Sequence, residues 1–111
     1  MKEWLIAFAF GQAVEVPIYL LAFLGAARPL WQKAAIGFGA TALTHPVVWF
    51  VFPRLIDDYL SMAVAAETFA VAVEAVYLAA FGVRRALAWS VLSNGASLGL
   101  GLLSRAWLGW P

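Results

Sequence analysis

Cysteine is absent from this chain of 111 residues. Its absence excludes disulfides, thiolate metal sites and thiol redox chemistry, and leaves the redox compartment open. Charge is scarce as well: 12% of residues are charged, against about 25% in an ordinary soluble domain. Seven Lys and Arg against six Asp and Glu give a net +1, so no basic face exists to track phosphates, and nucleic acid is not an expected partner. Met1 and Met62 are too few for a thioether Cu(I) path. No catalytic cysteine or Gly-rich phosphate loop occurs, and the single histidine leaves no H-x-x-x-H or H-E-x-x-H zinc spacing.

What fills the chain instead is apolar. Hydrophobic residues make up 65% of it, and the mean hydropathy is +0.89. A chain this short has too much surface for its volume to hide so large an apolar fraction, so the lipid bilayer is the expected solvent. Four apolar runs, 4–25, 31–52, 59–81 and 86–108, each approach the roughly 20 residues that cross about 30 Å of hydrocarbon. The links between them, "AARPL", "PRLIDD" and "GVRR", are short and carry the breakers. Short links make successive helices antiparallel neighbours, which predicts an all-α, integral membrane, up-down four-helix bundle with one transmembrane domain over 1–111.

Trp4, Trp31, Tyr59, Trp107 and Trp110 fall near the expected helix ends, as interfacial aromatics do. The first run could be a cleaved leader, since "FLGAAR" offers small residues after it. It is longer than the usual apolar core of about 7 to 15 residues and holds Glu15 and Pro17 at its middle, so it reads as a span. Arg28, Lys33, Arg84 and Arg85 lie on one side and Lys2, Arg54 and Arg105 on the other, which favours both termini outside the cytoplasm. So small a bias also permits dual insertion and an antiparallel homodimer. Arg84 and Arg85 read as headgroup anchors. The expected location is a bacterial or archaeal cytoplasmic membrane.

Half of the acids, Glu15, Glu67 and Glu74, fall inside these runs. A charge at mid-bilayer costs about 2.5 to 3.5 kcal/mol, whereas each Leu, Ile, Phe or Val returns about 0.3 to 0.6. Two glutamates in the third run therefore cost roughly 5 to 7 kcal/mol against a return of about 4, so that helix depends on its neighbours or on protonation. At 3.6 residues per turn Glu67 and Glu74 lie nearly on one line with Ala63, Ala70 and Tyr77. Gln12, Glu15 and Tyr19 share a face of the first helix, Gly37, Thr41 and His45 one of the second, and Ser90, Ser93, Asn94, Ser97 and Gly101 one of the fourth. Four such stripes can face a common interior.

Counting 1.5 Å per residue from the side of the termini puts His45 at about 10 Å, Glu67 at about 12 Å and Glu15 at about 16 Å, with Glu74 and Asn94 near 21 Å. The expectation is an outer cluster of Glu15, His45 and Glu67, with Glu74 and Asn94 deeper. Within "LTHPVVWF" and "AVEVPIYL", Pro46 and Pro17 cannot donate to the carbonyls of Ala42 and Ala13, which predicts two kinks and free oxygens that could serve as cation ligands. Each feature also has a plainer reading. His45 could hydrogen-bond a neighbouring Thr or Glu, the serines and the Gly95/Gly99 spacing could be packing contacts, and the prolines tolerated kinks.

Three carboxylates close together in low dielectric cannot all stay ionised without a partner. A proton relay or a cation site follows, and Glu15, His45 and Glu67 could supply N/O ligands to a divalent metal ion. The expected proton- or cation-binding core is Glu15, His45, Glu67, Glu74 and Asn94, supported by Gln12, Tyr19, Thr41, Thr44, Tyr77, Ser90 and Ser97. Two other classes stand beside this transporter or channel reading. An intramembrane enzyme could use the carboxylates and His45 as acid and base on a lipid-soluble substrate. A non-catalytic subunit could pack its stripes against other membrane chains, or bind a pigment or quinone through His45.

The length, four short-looped runs, faint charge bias and glutamate of "AVEVPIYL" resemble the small multidrug resistance transporters, antiparallel dimers that exchange protons for organic cations at that glutamate. The resemblance implies that Glu15 couples the exchange, with Tyr19 and the aromatic-rich second span around the substrate. The third run departs from the family, lacking its Gly- and Trp-containing pattern and holding two acids, and "THP" is foreign to it.

Overall fold

A computed structural model describes residues 2–109, and Trp110 lies outside them. Its elements are helices: α1 Lys2–Ala22, α2 Leu30–Phe50, the single turn α3 Phe52–Leu55, α4 Tyr59–Ala80 and α5 Ala86–Leu108. No strand occurs among the described residues. Four helices, counting α2 with α3 as one segment, are long and apolar enough to cross a membrane.

Local chemistry sets the ends of these elements. The connection from α1 to α2 reverses at Gly25, whose φ of +83° a side chain would resist. Pro29 then stands at the N-cap of α2, where its missing N–H costs nothing. At the start of α4, Asp58 accepts from the Ser61 backbone N–H at 2.9 Å and from its hydroxyl at 2.7 Å. Those bonds cap the helix and hold the Asp58 carboxyl below its ordinary pKa. The C-terminus of α4 closes as a Schellman motif: Val83 N–H returns to the Leu78 carbonyl at 3.1 Å and Gly82 N–H to that of Ala79 at 3.0 Å. Gly82 takes φ +84°, and Leu78 and Val83, the apolar pair of that motif, are both buried.

Each long helix packs on two others, α1 on α2 and α5, and α4 on α2 and α5, which closes an up-down ring. Two ends result. One carries the start of α1, the turn α3 and the end of α5; the other carries the α1–α2 and α4–α5 connections. Tyr19, Phe23, Ile36, Ala40, Leu78, Val83 and Ala86 form an apolar plug near the connection end. Gln12, Glu15, Thr41, Thr44, Glu74, Ser90, Ser93 and Asn94 are buried as well, while Leu, Val and Trp side chains populate the surface. This inverts the usual soluble arrangement, in which buried polar groups are the exceptions.

The aromatics expected at helix ends divide. Trp31, Tyr59 and Trp107 face outward. Trp4 instead stacks inward on Phe8 at 5.3 Å, with its indole N–H buried and without a partner among the described residues. Both internal prolines are accommodated within helices, since α1 and α2 continue through Pro17 and Pro46.

Candidate functional site

Glu74, 1% exposed, is the point at which the four long helices meet chemically. Its Oε1 accepts from the Tyr19 hydroxyl of α1 at 2.6 Å and from Asn94 Nδ2 of α5 at 3.3 Å, and its Oε2 accepts from Thr44 Oγ1 of α2 at 2.8 Å. Every neighbouring long helix thus sends one neutral donor to this carboxyl. Asn94 is itself held, since its Nδ2 also donates to the Ser90 carbonyl at 3.0 Å, and Ser90 Oγ donates to the Val71 carbonyl of α4 at 2.8 Å. Donors already fixed in place can stabilise an added charge without reorganising.

Glu15 belongs to the same constellation. Its Oε1 accepts from Thr41 Oγ1 at 2.9 Å. A Cβ placed on Gly11 would stand 3.7 Å from Glu15 Oε2 and 3.9 Å from Ser97 Oγ, so the carboxyl and the serine meet over the bare backbone of Gly11. Thr44, which donates to Glu74, also reaches the Thr41 carbonyl at 3.4 Å, so the two acids are held on adjacent turns of α2. Glu15 is therefore part of the deep cluster, whereas straight-rod counting puts it in an outer one. Side-chain reach and helix tilt absorb the 5 Å difference in estimated depth.

Glu15, Glu67 and Glu74 line one cavity of about 460 Å³. Glu3, Tyr59 and Arg105 stand at its mouth, at the end bearing the termini, and Thr44, Glu74 and Asn94 at its floor. From Glu3 to Glu15 the axial rise is roughly 18 Å, about half the length of the bundle. Below the floor comes the apolar plug. Glu67 lies partway down, with a buried Oε1 that has no partner among the described residues.

His45 lines the same cavity but has a different setting from that expected. Its ring sits among Phe8, Trp4 and Trp49 at centroid distances of 5.3, 5.8 and 6.1 Å, and its buried Nε2 has no hydrogen-bond partner among the described residues. It reaches neither a carboxylate nor a threonine. Among the described residues no three His, Asp or Glu side chains group to hold a metal ion, so Glu15, His45 and Glu67 do not form the ligand set the sequence suggests. Ala13, Pro17, Ala42 and Pro46 are absent from the lining, which removes the proline-freed carbonyls as ligands there.

The supporting residues divide similarly. Tyr19, Thr41, Thr44, Ser90 and Ser97 act at or beside the carboxylates. Gln12 ties α1 to α2 through the Phe38 carbonyl at 3.0 Å. Tyr77 leaves the site altogether, pressing its hydroxyl onto Gly39 and its ring against Phe81. Gly95 and Gly99 face outward, since a Cβ on either would meet nothing within 4 Å among the described residues. Sequence reasoning passed over the mouth, although the spacing carries it: Glu3, Ala7, Gly11 and Glu15 continue one stripe at i+4, and so do Ser97, Gly101 and Arg105.

The fold and site together define a small four-helix bundle with a carboxylate-lined cavity. No protein family, curated protein or solved structure matches the chain.

Proposed function

We propose that this chain is a multi-pass membrane protein that takes a proton or small cation from the face bearing its termini into the carboxylate cavity, with Glu74 as the terminal binding group. Glu67 serves as the entry carboxyl and Glu15 as the partner of Glu74. The observation that carries this reading is the buried carboxyl of Glu74 at the cavity floor, hydrogen-bonded from all three neighbouring long helices. Three carboxyl groups in one low-dielectric space cannot all be ionised without a counter-charge, so protons or a cation belong to the working state. Because every long helix touches Glu74, a change in its occupancy is felt by the whole bundle, as a coupled carrier requires. The apolar plug makes this a state open to one side. Transport then requires the Tyr19 layer to part, and the protein works as a homo-oligomer in a bacterial or archaeal cytoplasmic membrane with the connection end inside.

Proteoliposomes under an imposed pH gradient test this reading with wild type, E15Q, E67Q and E74Q. E74Q should abolish proton or cation uptake, and E15Q and E67Q should each reduce it. Flat traces from folded wild type would end the transport reading. A second reading, a subunit of a larger membrane assembly, is favoured by the outward-facing Gly95 and Gly99 of α5, spaced as helix-pairing glycines are. Gentle purification separates the two, since a subunit carries other chains with it.

A further inference from the structure

The end of the bundle opposite the cavity mouth carries charge of one sign. Arg28, Lys33, Arg84 and Arg85 lie in or beside its two connections, and none of the six acids does. The connections reverse at Gly25 and Gly82 and together wall a hollow of about 270 Å³. Arg28 and Arg84 line that hollow along with the apolar Phe23, Leu24 and Val83. The Arg28 guanidinium is already positioned, 5.6 Å over the centroid of the Phe81 ring.

Two ordinary uses for these cations are ruled out by their surroundings. Helix C-terminal carbonyls attract cations. At the end of α1, however, the Tyr19, Leu20, Leu21 and Phe23 carbonyls accept from Phe23, Leu24 and Ala26 N–H, and at the end of α4 those of Leu78 and Ala79 accept from Phe81, Gly82 and Val83. A structural ion pair would need an acid, and this end has none.

We propose that the hollow between the α1–α2 and α4–α5 connections binds the phosphate of an anionic lipid headgroup through Arg28 and Arg84. Guanidinium forks match phosphate oxygens in pairs. The position matches too, because four span-length helices begin or end at this level, where lipid phosphates lie. Phe23, Leu24 and Val83 give the glycerol and upper acyl carbons an apolar wall that free phosphate would leave unused. The site rests on the reading of the long helices as membrane spans and is independent of what the cavity carries, so flat transport traces would leave it standing.

The test is native mass spectrometry of the full chain in detergent, titrated with phosphatidylglycerol and, separately, phosphatidylcholine. Wild type should retain phosphatidylglycerol in preference. R28A/R84A should weaken that retention roughly thirtyfold, and R54A at the opposite end should leave it unchanged. R84A alone, at an exposed side chain, should give about fivefold and serves if the double variant misfolds. Equal retention of the two lipids, no loss in either Arg84 variant, or an equal loss in R54A would each overturn the proposal. Displacement of the lipid by an equal concentration of inorganic phosphate would also overturn it, making a soluble anion the ligand.

Discussion

Glu74 and Tyr19 show what a single residue contributes here. The Tyr19 hydroxyl is fully buried and donates to the Glu74 carboxyl at 2.6 Å, so Tyr19→Phe removes a strong donor without opening a void. A hydrogen bond to a charged group is worth about 1.5 to 3 kcal/mol, and the expected loss of stability lies in that range, read from denaturant titration in detergent. Transport should persist at a reduced rate, since Thr44 and Asn94 still hold the carboxyl. A Tyr19→Phe chain as stable as wild type would remove the tyrosine from the site. At this scale the sequence was legible where a residue was costly. Glutamates in apolar runs announce themselves, and stripe spacing assigned their face. The centre of the cluster was not legible, because it depends on how far side chains from tilted helices reach. The setting of His45 was hidden for a related reason: its aromatic box comes from Trp4 and Phe8, more than thirty-five residues away, and no local spacing encodes that contact.

At the scale of elements, the contact of α2 with α4 turns on one missing side chain. Tyr77 places its hydroxyl where a Cβ on Gly39 would have to be, so Gly39→Ala forces the helices apart or the ring out of place. The expected cost is about 1 to 3 kcal/mol. Tyr77→Phe removes the colliding oxygen, so Gly39→Ala/Tyr77→Phe should recover most of that loss in thermal melts. Additive losses in the double variant would show that the two positions do not share this contact. Helix number, order and antiparallel sense were readable from hydropathy and the short links. The ends were readable to within three residues: α1 stops at Ala22 rather than 25, because reversal at Gly25 uses Phe23 and Leu24 as a turn. Part of "PRLIDD" folds as α3, since a proline in a first turn is compatible with a helix. Pro17 and Pro46 lie inside continuous helices, since one lost hydrogen bond is tolerated in a helix supported along its length by neighbours.

The whole molecule is two unlike halves, an acid-lined cavity toward the termini and an apolar plug toward the connections, and this asymmetry can be read in solution. The chain is naturally free of cysteine, so each introduced thiol reports alone. Ala7 and Ser97 line the cavity, whereas Ala40 is fully buried in the plug. A membrane-impermeant maleimide reacts only with a thiolate that water reaches. Ala7→Cys and Ser97→Cys should therefore be labelled in sealed vesicles from one side alone, the side on which a terminal tag is also cleaved. Ala40→Cys should resist labelling from both sides. On the proposed transport cycle, the plug opens during turnover, so Ala40→Cys should become reactive under an imposed pH gradient, and E74Q should prevent this by removing the proposed binding group. Labelling of Ala40→Cys at rest would contradict the closed half, and labelling of Ser97→Cys from the face opposite the tag would invert the direction of the cavity.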